Sequence, residues 1–336
     1  MEIGPILRAM IRNKLGAVLI TLQIAFTMTV VINAIFIINE RSNLMARPSG
    51  LDEANTFYLS SVGYGDEFNG VVTVRDDLER LRQTPGVVDA TVTNAIPVSG
   101  SGSNTGVRLV DDEAAATSFA AYYRVDEHAI ETMDLDLVAG RNFAAEDVQW
   151  RAGSEAITTR ELIISQQLAN NLFPDREPNG VLGETMFING SEAHQIIGVV
   201  EQLQGPWPSN SSVELSMLQP NSSVGSSATY LIRTEPGQRD RLMAEVEEML
   251  VASNSNRIIR DLMSLEQTRE GSYRIDSAMS TILWAIIITL IFITSMGIVG
   301  MAVFGINRRR KQIGTRRALG ATRLEILRHF MVENLM

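Results

Sequence analysis

The chain of 336 residues has no cysteine and only three histidines. The absence of cysteine excludes disulfide bonds, thiol catalysis and cysteine-ligated zinc. His128, His194 and His329 lie far apart in the sequence, and none has a second histidine at the spacing of metal ligands. We interpret His128 as the solvated start of a helix and His194 as a strand residue. The sequence therefore predicts no catalytic, cofactor or metal site.

Charged residues are absent from two long apolar runs, Gly16–Ile38 and Thr281–Ile306. Each run exceeds the roughly 20 apolar residues that a helix needs to cross a hydrocarbon core of about 30 Å. We predict transmembrane helices over residues 16–38 and 278–306. A cleaved signal peptide is the alternative for the first run, but its apolar core is longer than the usual ~7–15 residues and no small-x-small cleavage site follows.

Charge of opposite sign separates the ends from the middle. Residues 39–277 carry 18 arginines and 36 acidic residues, a net charge of −18, whereas the rest carry 11 basic and three acidic residues, a net charge of +8. By the positive-inside rule both ends are cytoplasmic and residues 39–277 lie across the membrane. The acidic domain argues against nucleic acid as a partner, and we interpret the basic cluster beside the second run as a topology signal in contact with membrane lipid.

The segment between the runs has the pattern of a large α+β domain. Predicted strands are Thr56–Val62, Val87–Val92, Glu161–Ile164 and Tyr230–Arg233, and predicted helices cover Asp76–Leu81, the stretch from its cap at Ser165 to Leu172, and Arg239–Val251. Asn189-Gly190 predicts a hairpin between Thr185–Ile188 and Gln195–Val200. The Ser- and Gly-rich stretch Ile96–Gly106 predicts a mobile surface loop, and Gly205–Ser227 a second loop. The predicted fold is thus a membrane protein with transmembrane α-helices and a large α+β domain.

The membrane-proximal segments suggest two further features. Apolar residues repeat with helical spacing near the N-terminus, which predicts an amphipathic interfacial helix over residues 1–15, unless this is only the frayed start of the first span. The apolar residues are Ile3, Ile6, Leu7, Met10 and Ile11. In the second span Thr294, Gly297 and Gly300 would allow close packing of another helix. Ordinary variation at a lipid-facing surface is the alternative.

After the second span the chain makes a basic turn. Thr322 and Glu325 have the spacing of a capping box, and an apolar stripe follows it at Leu324, Leu327, Met331 and Leu335. We expect residues 307–336 to form a cytoplasmic coupling region followed by the start of a third transmembrane helix. A helix that stops as it becomes apolar predicts a C-terminally truncated fragment of a longer protein.

This region carries a family resemblance. The run Arg309–Arg323, with Ile326, Phe330 and Glu333, resembles the FtsX-like permease motif of MacB-type ABC transporters. Arg12–Leu15 is similar to the family's entry into the first span. The outer pattern is similar to the MacB periplasmic core at Gly140–Phe143, Asp147, Leu172-Phe173, Leu182-Gly183 and Ile197–Val200. One departure is Gln312, where the family usually has Glu.

The resemblance implies a multi-pass protein of the bacterial inner membrane whose periplasmic domain has two lobes, with the middle of the domain, about residues 126–224, inserted as the second lobe. It also implies a dimer with a second permease copy, homo- or heteromeric, and a cytoplasmic ABC ATPase. No Walker A sequence is present, so ATP must be hydrolysed by a partner or by a segment outside this sequence. By resemblance, the ATPase would contact Gln312, Ile313, Gly314, Arg316, Arg317, Ala318, Leu319, Gly320, Ala321, Thr322, Arg323, Glu325 and Arg328.

Three functions remain to be weighed. The first is a permease subunit that converts ATP hydrolysis elsewhere into periplasmic motion, called mechanotransmission in this family, for efflux or for handling a substrate outside the inner membrane. The second is a non-transporting regulator that switches a periplasmic hydrolase or a sensor kinase. The third, a passive membrane anchor, has no need of a capped cytoplasmic turn. Peptide, lipoprotein, macrolide and siderophore stay open as substrates, as does assembly with a periplasmic adaptor and an outer-membrane channel.

Overall fold

The computed structural model describes residues 14–66, 68–112, 114–152, 155–188, 192–209 and 212–308, with positions 314–315, 318, 320, 322 and 324–328. The amphipathic helix predicted before residue 14, the Asn189-Gly190 turn, His329 and the helix predicted to continue after residue 328 lie outside these residues. Two units make up the chain. One is Leu44–Arg274, and the other combines the chain up to Asn43 with the chain from Ile275 onward.

Two long helices contain the predicted spans. Helix α1 is Lys14–Met45, and the last helix of the continuous chain, α6, is Leu265–Arg308. Both pass the length and composition required to cross a membrane, over Val18–Met45 and Leu265–Met301, and most of their surface is exposed in the chain itself. Both helices extend beyond the predicted spans on the side of the outer domain, because polar residues continue the helical hydrogen bonding where the apolar run stops.

The outer domain alternates strands and shorter helices. In chain order its elements are β1 Thr56–Gly63, α2 Gly70–Arg82, β2 Val87–Thr93, β3 Asn104–Arg108, β4 Ser118–Arg124, α3 Ala129–Met133, β5 Leu137–Gly140, β6 Gln149–Ala152, β7 Glu161–Ser165, α4 Gln166–Leu172, a 3₁₀ turn Pro178–Val181, β8 Thr185–Ile188, β9 Glu192–Val200, β10 Ser216–Gln219, β11 Asn221–Val224, β12 Ser227–Thr234, α5 Arg239–Ser253 and β13 Arg257–Ser264. This order confirms the α+β class.

The first sheet joins the two ends of the domain. Its four strands run in the order β13-β1-β12-β2, all antiparallel. Phe57 and Leu59 alternate along β1 into a core covered by α2 and α5. Helix α2 begins at a cap in which Val72 N donates to Asn69 Oδ1 at 3.2 Å, and it buries Val74, Leu78 and Leu81 on one face.

The second sheet is built from the middle of the domain. Its seven strands run in the order β5-β9-β7-β10-β4-β3-β8, with parallel pairs at β10–β4 and β7–β9. Antiparallel pairing of β8 with β9 confirms the predicted hairpin strands. A two-stranded parallel sheet, β11-β6, accompanies them. Ser165 caps α4 as predicted, because Leu168 N donates to its Oγ at 3.2 Å.

Two loop predictions need correction. Ile96 and Val98 are buried at 5% and 4% exposure, and Val98 N donates to Gly205 O at 3.2 Å, so the first half of Ile96–Gly106 is held in place and its end enters β3. Strands β10 and β11 lie inside the predicted loop Gly205–Ser227. Strands β3 and β4 also pair within the second sheet. These strands depend on partners distant in sequence, such as β4 with β10, which local patterns do not reveal.

Candidate functional site

The basic turn after α6 contains the predicted capping box. Thr322 N donates to Glu325 Oε2 at 3.0 Å, and Glu325 N donates to Thr322 Oγ1 at 3.3 Å. The hydrogen bonds from Thr322 lower the pKa of Glu325. Residues 324–328 are helical, and Gly320 ahead of them has φ +93°, a conformation that favours glycine. The sequence spacing therefore identified a real helix start.

The other coupling residues divide into two groups. Those that the structure describes are exposed: Gly314, Ala318, Gly320, Thr322, Glu325 and Arg328. Leu324 and Leu327 beside them are 75% and 59% exposed. The remaining positions lie outside the described residues: Gln312, Ile313, Arg316, Arg317, Leu319, Ala321 and Arg323. The described part of the turn is an accessible surface in the chain itself.

The two long helices contact each other through small and polar side chains. The hydroxyl oxygens of Thr27 and Thr294 are 2.7 Å apart, and Gln23 Nε2 donates to Ile293 O at 3.4 Å. A Cβ added to Gly297 would lie 2.6 Å from Gln23 Nε2. No described atom lies within 4 Å of a Cβ added to Gly300. Thr294 and Gly297 are thus placed against α1, whereas Gly300 is not.

A charged pair that the sequence interpretation missed closes this contact at one end. Arg41 on α1 is ion-paired with Asp276 on α6, and the Asp276 side chain is only 10% exposed. Below it, Ala34, Ile38 and Ile287 form a small apolar cluster. The ion pair could have been predicted from the sequence, because residues of opposite charge lie just outside the two apolar runs. The pair ties the two helices where they leave their apolar segments.

Helix α6 is capped and held within the outer domain. Gln267 N donates to Ser264 Oγ and Ser264 N donates to Gln267 Oε1, both at 3.1 Å, which is a second capping box. One turn further, Arg269 contacts Glu53 Oε1 at 2.6 Å and the Met45 carbonyl at 2.8 Å. Tyr273 Oη donates to Leu44 O at 3.1 Å. The first ten residues of α6 are therefore fixed to the outer domain.

The family-like pattern in the outer domain forms one structural contact. Strands β5 and β9 place Gly140 opposite Gly198, and a Cβ added to Gly140 would lie 2.1 Å from Ile197 O. Gly140 also has φ +80°, so both the close contact and the backbone conformation require glycine at this position. Arg141 pairs with Asp147 at 2.5 Å and lowers the pKa of that carboxyl. The pattern from 140 to 147 and from 197 to 200 thus serves close packing of two strands.

A buried ionic network joins the two larger sheets. Asp126, after β4, accepts hydrogen bonds from Arg82 Nη2 at 2.6 Å and from Thr91 Oγ1 at 2.6 Å. Burial raises the pKa of Asp126 in spite of these donors. His128 contacts Asp89 at 2.9 Å, and that hydrogen bond raises the pKa of His128. His128 lies at the start of α3, as predicted. It is not merely solvated, because its ring contacts Asp89 on β2, 39 residues away in the sequence.

His194 is the other histidine that the structure describes. His194 lies on β9 as predicted, and its burial lowers its pKa. Within the residues that the structure describes, no group of three metal-ligating side chains comes together.

Comparison with known proteins assigns the family. The family model for the MacB-like periplasmic core domain matches residues 16–249, and the FtsX-like permease C-terminal model matches residues 284–336. Among curated relatives, the uncharacterized ABC transporter permease YknZ of Bacillus subtilis is 25% identical over 77% of this chain and 66% of its own length. The macrolide export ATP-binding/permease protein MacB of Neisseria gonorrhoeae is 23% identical over 97% of this chain and 48% of its own length.

A solved structure, the periplasmic region of MacB from Actinobacillus actinomycetemcomitans, aligns with a TM-score of 0.42 at 15% identity over 68% of this chain and 97% of that one. This chain spans about two thirds of the length of YknZ and about half that of the Neisseria MacB. Because the periplasmic-core model covers more than half of the sequence, the chain belongs to the MacB-type, FtsX-like family of ABC transporter permeases.

Proposed function

We propose that this chain is the permease subunit of a MacB-type ABC transporter of the bacterial inner membrane, in which a partner ATPase in the cytoplasm drives motion of the periplasmic domain. Both ends are cytoplasmic, and a second permease copy completes the membrane part. The motion is used for efflux or for handling a substrate outside the membrane. The chain hydrolyses no ATP itself in this scheme.

The observation that carries the proposal is the unbroken helix α6. It begins at the Ser264–Gln267 capping box of the outer domain and continues through 44 residues to Arg308. At about 1.5 Å per residue this is about 66 Å, twice the hydrocarbon thickness. Its first turns are tied to the carbonyls of Leu44 and Met45 within the outer domain. In this proposal α6 transmits force from the ATPase to that domain.

The capped turn after α6 is the proposed contact for the ATPase. Residues 312–328 include four arginines, and the described coupling residues among them are exposed. Thr322 and Glu325 cap the start of the short helix at residues 324–328. Exposed Leu324 and Leu327 offer apolar area for docking. The name of the MacB relative, an ATP-binding/permease protein, supports an ATP-binding partner for the permease part that this chain resembles.

Binding and turnover with the candidate ATPase test this assignment. The full-length protein is co-purified with that ATPase in lipid nanodiscs, and ATP hydrolysis is compared between wild type and an Arg316→Glu/Arg317→Glu variant. We expect wild type to form a specific complex with the ATPase, and we expect ATP turnover to be about tenfold lower, or lower still, in the variant. Reversing two charges at a docking surface places like charges opposite each other, which weakens the binding free energy by several kcal/mol.

A matched control reverses two exposed arginines of the outer domain, Arg80→Glu/Arg160→Glu. This variant should bind the ATPase and support turnover as wild type does. Absence of any ATPase association in wild type would refute the permease assignment and leave a passive anchor.

A further inference from the structure

A polar cavity of about 190 Å³ lies where three sheets of the outer domain meet. Strands β2 and β12 of the first sheet, β4 of the second and β11 of the third contribute to its wall. Its polar lining consists of Thr93, Asn94, Arg124, Ser222, Ser227 and Thr229. None of its described lining residues is acidic. The wall is therefore rich in hydrogen-bond donors and carries one positive charge in a domain that is otherwise strongly acidic.

The cation in this wall, Arg124, has no ion-pair partner among the described acidic residues. Arg124 lies with its Cζ 5.2 Å from the centre of the Tyr122 ring, and its Nε is buried without a hydrogen-bond partner in the part of the chain that the structure describes. Its backbone N donates to Asn94 Oδ1 at 2.6 Å, which fixes the neighbouring amide. Stacking on a ring orients the guanidinium and leaves its N–H groups available.

A buried hydroxyl in the same wall is also unpaired. Ser222 is 3% exposed, and its Oγ has no hydrogen-bond partner among the described residues. Leaving a buried donor unsatisfied is destabilising, so its presence at a cavity indicates a ligand that would use it. By contrast, Thr229 and Thr93 already have partners in Ser60 and the Ala95 carbonyl. Among the described lining residues, Arg124 Nε and Ser222 Oγ are thus the buried side-chain donors without a hydrogen-bond partner.

A second guanidinium strengthens the positive field. Arg151 is 5% exposed on β6, the strand that pairs with β11, and its Nε has no hydrogen-bond partner among the residues that the structure describes. Burial and then the charge of Arg124 lower the pKa of Arg151, while Glu155 opposes this. An anion between the sheets would relieve the repulsion between the two arginines.

We infer that this cavity binds the oxyanion group, carboxylate or phosphate, of a small ligand, with Arg124 and Ser222 as its donors. Arginine matches a planar carboxylate or a phosphate through paired N–H groups, and the hydroxyl supplies a further donor. The volume suits a small anion or the charged end of a larger molecule, since drug-sized ligands need about 300 Å³ or more. Because the wall includes strands of all three sheets, the bound anion would join the two halves of the outer domain. The site is independent of ATPase coupling.

Trp150 provides a reporter for this test. It pairs in register with Ser222 and is one of three tryptophans. In a Trp207→Phe/Trp284→Phe background, the purified full chain without ATPase is titrated with inorganic phosphate and, separately, with acetate, at constant ionic strength in chloride. We expect saturable fluorescence changes with one or both anions, and none with chloride. Saturation by phosphate alone or by acetate alone identifies which oxyanion the site prefers.

Three variants make the test specific. Arg124→Gln should weaken the affinity by about tenfold or more, and Ser222→Ala by about threefold, in line with the loss of a charged and a neutral hydrogen bond. Arg80→Gln removes an exposed charge elsewhere and should bind as the background does. Arg124 Nε has no hydrogen-bond partner among the described residues, so Arg124→Gln breaks no hydrogen bond at that atom and the variant should fold. Circular dichroism and a thermal melt check that it does. Linear, non-saturable responses to both anions, or equal affinities in Arg124→Gln and the background, would overturn the inference.

Discussion

At the residue scale, the family pattern is explained by steric demand. Gly140 and Gly198 face each other across β5 and β9 so closely that neither can carry a Cβ without displacing backbone. The pattern could be recognised in the sequence, but its cause could not, because the two glycines are 58 positions apart. The same holds for Arg82 and Asp126, whose contact depends on how the sheets meet.

Replacing Gly140 separates the steric cost from the conformational one. Gly140→Ala should lower the stability by about 3 kcal/mol or more, since it combines a positive φ with a 2.1 Å clash against backbone. Gly237→Ala is the control, because Gly237 has φ +79° with nothing within 4 Å, and should cost about 1 kcal/mol. Thermal melts of the full chain in detergent measure both. Equal losses would contradict the close contact.

The His128–Asp89 contact predicts a dependence of stability on pH. Because the pKa of His128 is raised in the folded state, its contribution is fully present below the ordinary value of 6.5 and is lost as the pH rises through the folded-state pKa. Asp126, whose pKa is also raised, acts in the same direction from 3.8 upward. Between pH 6 and pH 8.5 the melting temperature of wild type should fall more than that of His128→Gln. Parallel falls would exclude a role for His128.

At the element scale, helix caps could be predicted from residues close together in the sequence, whereas the pairing of strands far apart in the sequence could not. The capping box at Thr322 and Glu325 could be predicted, and so could the helix cap at Ser165. In both cases the hydrogen-bond partner is three residues away in the sequence. Strands β4 and β10 are almost 100 residues apart, and no local pattern predicts their parallel pairing. The apolar runs predicted helices, but α6 begins upstream of its apolar run, at Leu265.

The contact between α1 and α6 can be tested in a chain without native cysteine. Thr27→Cys/Thr294→Cys should form an intramolecular disulfide on mild oxidation, because the two hydroxyl oxygens are 2.7 Å apart. Adding Gly297→Leu should reduce the yield, since its side chain would collide with Gln23. Gly300→Leu is the matched control and should leave the yield unchanged. A yield insensitive to both leucines would argue against this packing.

At the scale of the whole molecule, charge segregation predicts the topology. Residues 39–277 are strongly acidic and the ends are basic, so the account requires Ser101 outside the inner membrane and Ala318 inside it. In spheroplasts, a membrane-impermeant maleimide should label a single Ser101→Cys and should label Ala318→Cys only after lysis; both positions are exposed. Labelling of both before lysis, or of Ala318→Cys alone, would contradict the orientation.

The central claim is that ATP hydrolysis in a partner moves the outer domain through α6. The most direct measurement is the distance between spin labels at Ser101→Cys in the two permease copies, in nanodiscs with the ATPase, with and without ATP. We predict that ATP shifts the distance distribution in wild type and not in Arg316→Glu/Arg317→Glu. An ATPase that binds and turns over while the distance stays the same would contradict the account.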